Sequence, residues 1–158
     1  MFVGRERELE SLQRLYASNS FQFGVVYGRR RVGKTKLLRQ FTADKPDVFF
    51  FTAHETTLSE NLDLLSRELA KTTPDDQPAS YPVFRTLTEA FDEVFRRAAS
   101  KRLVFVIDEY PYLAQSDPGA SSALQALIDA NQEDSKLLLI LCGSSMTFME
   151  HQVLGKQS

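Results

Sequence analysis

Residues 28–35 read Gly-Arg-Arg-Arg-Val-Gly-Lys-Thr, and what flanks them restricts the chain to few folds. Before them runs Phe21–Tyr27, short, apolar, β-branched and aromatic, as a buried strand entering a turn is composed. After them Leu37, Leu38 and Phe41 recur at helical spacing. The form G-x-x-x-x-G-K-[ST] between a strand and a helix is a P-loop, and each fixed position has a mechanical task. The glycines allow a curl whose backbone N–H groups point inward at phosphate oxygens. Lys34 then reaches the β- and γ-phosphates, and the Thr35 hydroxyl ligates magnesium at a helix N-terminus, where the dipole favours an anion. The nucleotide-contacting residues expected here are Gly28, Arg29, Arg30, Arg31, Val32, Gly33, Lys34, Thr35 and Lys36. The three arginines carry local positive charge that suits a polyphosphate, another chain or nucleic acid, although a solvated loop face is the commoner use of such residues.

The rest of the chain alternates between the two periodicities. Residues 5–17 place Leu9, Leu12, Leu15 and Tyr16 on one helical face, and Asn19 and Ser20 break it. Pro46 precedes a second strand, Asp47–Thr52. Thr57 and Glu60 form a capping box ahead of Leu58, Leu62, Leu65 and Leu69. Residues 72–82 concentrate proline, aspartate and serine and predict a loop, after which a helical face runs from Phe84 to Ser100. A third strand, Leu103–Ile107, ends at Asp108; a short helix carries Leu124, Leu127 and Ile128; a fourth strand, Leu137–Cys142, ends at Gly143. Strands alternating with helices imply right-handed crossovers and a three-layer α/β fold, a parallel sheet covered on both faces with its ligand at the carboxyl ends of the strands. With 158 residues, of which 42% are hydrophobic, residues 1–158 are expected to form one domain.

Bulk properties narrow the partners. A formal charge of −2 supplies no global attraction to nucleic acid or an anionic membrane. One cysteine, Cys142, cannot form an internal disulfide. The first residues lack an apolar signal-like run, and the longest apolar runs are far shorter than a membrane span, so the expectation is a cytoplasmic protein that does not cross a bilayer.

Chemistry concentrates at the strand ends. Asp108, closing an apolar strand, is placed to hold magnesium, and Glu109, one residue on, to take a proton from an attacking water as general base. Ser144 and Ser145 follow the fourth strand; if that strand lies between the first and third, either hydroxyl faces the γ-phosphate, and equally either can cap the next helix. Thr52 and His54 are weaker candidates for a polar relay to Glu109, His54 and His151 more often being surface residues, and Cys142 is expected to pack in the sheet.

Four segments, FVGRERELESL, GRRRVGKT, LVFVIDEYPYL and LLLILCGSSMTFMEHQVLG, together resemble the archaeal-type ATPases of the STAND branch among AAA+ and related P-loop ATPases, over nearly the whole chain. The resemblance implies that Phe2, Val3, Gly4, Arg5 and Glu8 belong to the element lining the adenine pocket, with Val3, Gly4 and Arg5 as its nucleotide contacts. It makes residues 28–35 the Walker A motif, Asp108 and Glu109 the Walker B pair, and Ser144 or Ser145 the sensor. It further implies strand order 5-1-4-3-2, here 1-4-3-2 with the fifth strand, helical lid and winged helix lacking, so that the chain is expected to be truncated and its first strand an open, self-associating edge. The function implied is magnesium-dependent ATP hydrolysis, with ATP and ADP as ligands, driving a conformational switch in a larger protein whose nucleic-acid or protein partner the sequence does not name. An alternative is a switch or assembly module that binds ATP and hardly hydrolyses it. A GTPase is disfavoured because no Asn-Lys-x-Asp segment reads guanine, and a small-molecule kinase because it has little need of Glu109. With no lid and no arginine beyond Arg102, turnover by this chain is expected to be slow.

Overall fold

The structure is a computed structural model and describes residues 6–28 and 33–144. In chain order the elements are α1 (Glu6–Ala17), β1 (Gln22–Tyr27), α2 (Lys34–Thr42), β2 (Val48–Thr52), α3 (Leu58–Ala70), α4 (Leu87–Arg97), β3 (Leu103–Asp108), α5 (Tyr110–Ser116), α6 (Ala120–Asn131) and β4 (Leu137–Gly143). The four strands form one parallel sheet in the order β1-β4-β3-β2, as expected. Every residue of the two central strands is buried, which explains why LVFVI and LLLILC are unbroken apolar runs instead of alternating ones.

Period-two geometry still divides these strands between two cores. Val104, Val106, Leu138, Ile140 and Cys142 face α1 and α2, packing with Leu12, Leu37, Leu38 and Phe41. Leu103, Phe105, Ile107, Leu137, Leu139 and Leu141 face the other way, onto Leu65, Phe91, Leu113 and Leu124 of α3 to α6. The three layers are therefore α1 and α2, the sheet, and the remaining four helices. Among the described residues no helix is long and apolar enough to cross a membrane.

Local chemistry sets most boundaries. The Thr57 side chain accepts from the Glu60 N–H at 3.2 Å and starts α3 at the expected capping box. A second such cap, Thr86 accepting from the Glu89 N–H at 3.1 Å, starts α4 at Leu87 and not at Phe84. Phe84 instead donates its N–H to the Ser66 hydroxyl at 3.0 Å, which ties the incoming loop to α3. The helix also ends at Arg97, short of Ser100.

The sequence reading omitted α5. Tyr110, Leu113 and Ala114 are its buried face, an i, i+3, i+4 set, and proline stands at its start where the missing N–H costs nothing. Both the β2–β3 and β3–β4 connections thus carry two helices.

Arg102 fastens α1 to the sheet. Its guanidinium donates to the carbonyls of Leu15 at 2.6 Å and Tyr16 at 3.1 Å, the open C-terminal turn of α1, and to those of Ser20 at 2.5 Å and Lys136 at 2.8 Å. A cation there also complements the helix dipole. Arg102→Met, which keeps the apolar stem, is expected to lower unfolding free energy by about 2–3 kcal/mol, because charged hydrogen bonds to half-buried carbonyls are lost. Urea titration checks this: a midpoint that stays in place would mean that water replaces the guanidinium without loss.

Candidate functional site

Parallel pairing brings all four strand exits to one edge of the sheet. Tyr27 lies opposite Gly143, and Thr52 opposite Asp108. Gly28 leaves β1 at φ 151° and Gly33 enters α2 at φ 83°, both conformations that a side chain would strain. Gly33 is the N-cap of α2, with no side-chain cap and no acidic residue in the first turn, so a helix start that favours an anion has no internal competitor of that kind.

Lys34 is buried despite its charge, and its ammonium donates to the Gly28 carbonyl at 2.9 Å, spanning the loop from exit to entry. The Thr35 hydroxyl donates to Asp108 Oδ2 at 3.0 Å across 73 residues of sequence. The other oxygen, Oδ1, accepts the Glu109 N–H at 3.0 Å. Asp108 is therefore buried with both carboxylate oxygens directed. A hydroxyl and a carboxylate at this separation are the hard oxygen donors that magnesium takes alongside retained waters, so the residues present fit that ion.

Glu109 sits half-buried at the N-cap of α5 in the left-handed conformation, φ 58° and ψ 40°. Its carbonyl accepts the Tyr112 N–H at 3.0 Å, closing the first turn of the helix. The sharp bend sends the chain off the end of β3 one residue after Asp108.

The pairing of β3 with β4 ends at Ile107 opposite Leu141, which sets Cys142 beside Asp108. Burial, and then the Asp108 carboxylate, hold its thiol well above the usual range, against the pull of Lys34. It is a packed, protonated thiol, as the sequence suggested. Ser144 is half-buried at the exit of β4, between the exits of β1 and β3. Lys36 is exposed on α2. Val3, Gly4, Arg5, Arg29, Arg30, Arg31, Val32, Ser145 and His151 lie outside the described residues.

His54 is exposed, and what the fold uses is its backbone. The fully buried Asn61 accepts the His54 N–H at 3.0 Å and donates to the His54 carbonyl at 3.1 Å, while its amide reaches Ser116 Oγ of α5 at 3.5 Å. Sequence reasoning passed over Asn61. Its signal was position: Asn61 falls on the same helical face as Leu58, Leu62 and Leu65, where an amide needs partners.

A helix opened by a glycine turn and joined to a carboxylate at a central strand exit, in a 1-4-3-2 parallel sheet, is the arrangement of a P-loop NTPase. The chain belongs to the family of ATPase domains found predominantly in Archaea, whose model matches residues 2–158, and it is accordingly an ATP-binding ATPase domain. An uncharacterized protein of Methanocaldococcus jannaschii is 32% identical over the whole of this chain, which spans 33% of that protein's length. An uncharacterized ATP-binding protein of the same organism is 49% identical over 45 residues, 28% of this chain and 76% of its own. In fold, the chain is similar to the Walker-type ATPase of Pyrococcus abyssi, with a TM-score of 0.70 at 21% identity over 95% of this chain and 47% of that one. It is also similar to the ORC1 protein of Aeropyrum pernix, solved in complex with DNA, with a TM-score of 0.58 at 22% identity over 92% and 40%.

Asn61→Ala should leave the His54 N–H without its partner, and the His54 carbonyl with the Thr56 N–H alone, and lower stability by about 1–2 kcal/mol. Amide exchange at His54 and Thr56 should quicken more than at the centre of β3. Uniform exchange across both regions would show that Asn61 does not hold this turn.

Proposed function

We propose that this domain binds ATP with magnesium through residues 28–36 and hydrolyses it to drive a conformational switch of the STAND type in a larger cytoplasmic protein. The bond between Thr35 and Asp108 carries the reading, because it joins the start of the phosphate-loop helix to the β3 exit at the point where a nucleotide's metal has to sit.

In this reading Lys34 exchanges the Gly28 carbonyl for the β- and γ-phosphate oxygens, and the N–H groups opening α2 receive the phosphates. Magnesium, held by Thr35 and Asp108, supplies positive charge to the phosphate oxygens. Glu109, half-buried on the left-handed turn one residue past the metal ligand, accepts the proton of the attacking water. Ser144, with Ser145 after it, contacts the γ-phosphate from the β4 exit. Val3, Gly4 and Arg5, which precede α1 in sequence, line the adenine pocket as the family resemblance implies.

Two substitutions separate binding from chemistry. Lys34→Ala should weaken magnesium-ATP affinity at least tenfold while thermal stability without nucleotide stays near wild type; unchanged affinity in a titration would remove Lys34 from the site. Glu109→Gln should bind ATP normally yet release phosphate about 10² times more slowly, the low end of general-base contributions. Equal turnover in both proteins would refute the general-base role, and turnover near zero in both would favour the module that hardly hydrolyses ATP.

Self-association belongs to the same proposal. The outer side of β1 pairs with no strand among the described residues, and Tyr27 is one of its exposed ends. An open edge of this composition invites pairing. Light scattering should report a mass that rises with concentration, and a constant monomer mass would count against it.

A further inference from the structure

Among the described residues two positions other than glycine hold a positive φ, Asn19 at 55° and Glu109 at 58°. Asparagine tolerates that region, whereas glutamate is strained there and keeps it only where its surroundings impose it. The Glu109 N–H donates to Asp108 Oδ1 at 3.0 Å, and its carbonyl accepts the Tyr112 N–H at 3.0 Å. Both partners lie within three residues, so neither bond ties the turn to a separate element. The next residue, Tyr110, supplies that tie.

Tyr110 is the largest fully buried side chain among the described residues, and its ring belongs to the core that holds Phe91, Leu113 and Leu124. Its hydroxyl lies 2.6 Å from that of Ser121, also buried, on the first turn of α6. Burial pushes the Tyr110 pKa up to about 12, so the hydroxyl keeps its proton and the pair stays a neutral hydrogen bond. Ser121 is fixed in turn by the connection before it. Asp117 accepts the Gly119 N–H on its side chain and the Ala120 N–H on its carbonyl, both at 3.0 Å. A phenylalanine in place of Tyr110 would fill the same core with no polar atom to satisfy, so what the hydroxyl adds is direction. It fixes the first residue of α5 relative to α6.

We propose that Tyr110 and Ser121 are positioning residues for hydrolysis: their bond locks the first turn of α5 and so holds the Glu109 carboxylate one step past Asp108 at the β3 exit. This role rests on the reading of Glu109 as general base. Proton transfer needs the base within hydrogen-bond reach of the attacking water, so a turn that relaxes out of the left-handed region costs rate without costing nucleotide affinity. The Tyr110 ring lies on the α3 to α6 side of the sheet, opposite the α2 layer that carries Lys34 and Thr35. The pair therefore acts through the Glu109 backbone and not on the nucleotide.

Three variants of the 158-residue chain, Tyr110→Phe, Ser121→Ala and the two combined, separate positioning from stability. Each single change strands one buried hydroxyl, whereas the double change removes both. The urea midpoint should therefore fall in the single variants and return toward wild type in the double. Phosphate release at saturating magnesium-ATP should nonetheless drop about tenfold in all three, with KM within about twofold of wild type. Amide exchange at Tyr112, whose N–H binds the Glu109 carbonyl, should quicken in the same variants. The double variant carries the test if a single one fails to fold. The positioning role is overturned by a folded double variant with wild-type kcat, by turnover that recovers together with the midpoint, or by Tyr112 exchange that stays at the wild-type rate. Glu109→Gln tells the two readings apart. If it is slow while the double variant is fast, the pair alone loses its role; if it matches wild type, the general base falls and the positioning role with it.

Discussion

Burial of β3 and β4 on both faces is the constraint from which the remaining architecture follows. A strand with no solvent-facing side needs a helical layer above and below, and parallel strands need crossovers long enough to supply those layers. The same pairing sends every strand the same way, so polar residues have one place to go, the common exit edge. Asp108 is buried there because it is the first residue past an apolar run, and Thr35 meets it because Leu37, Leu38 and Phe41 press α2 onto the sheet. The core positions the site; the site's own bonds only finish the alignment.

Those finishing bonds are made within the protein. Lys34 is satisfied by Gly28, and Thr35 by Asp108, before any phosphate enters. For the proposed ligand, binding therefore exchanges one set of hydrogen bonds for another, and the net gain per bond is smaller than its gross strength. Affinity must come from charge, from the many N–H groups of the loop and from the base.

What could be read in the sequence was what obeys a local rule. The β1-β4-β3-β2 order came through the resemblance, and the strands, the Thr57 cap and the alternation came from periodicity and capping chemistry. The start of α4 was misplaced because Phe84 continues the helical apolar spacing, although Ser66 binds its N–H elsewhere. Helix α5 was missed because seven residues behind a left-handed glutamate carry neither a cap nor a long period. Arg102 acts through backbone groups 34 to 87 residues away in sequence, and no window of residues reveals such partners; Asn61 acts through those of His54, seven residues back across the turn between β2 and α3.

Glu109 shows a cost that a contact map does not display. A side chain at φ 58° is strained by about 1 kcal/mol relative to glycine, and the helix it begins would form as well, or better, with glycine there. Selection for thermal resistance alone would erode this position, since Glu109→Gly relieves the backbone while deleting the carboxylate. Under the proposed general-base role, thermostability and turnover thus pull in opposite directions at one residue, so a library screened only for heat tolerance would enrich folded proteins that have given up that chemistry.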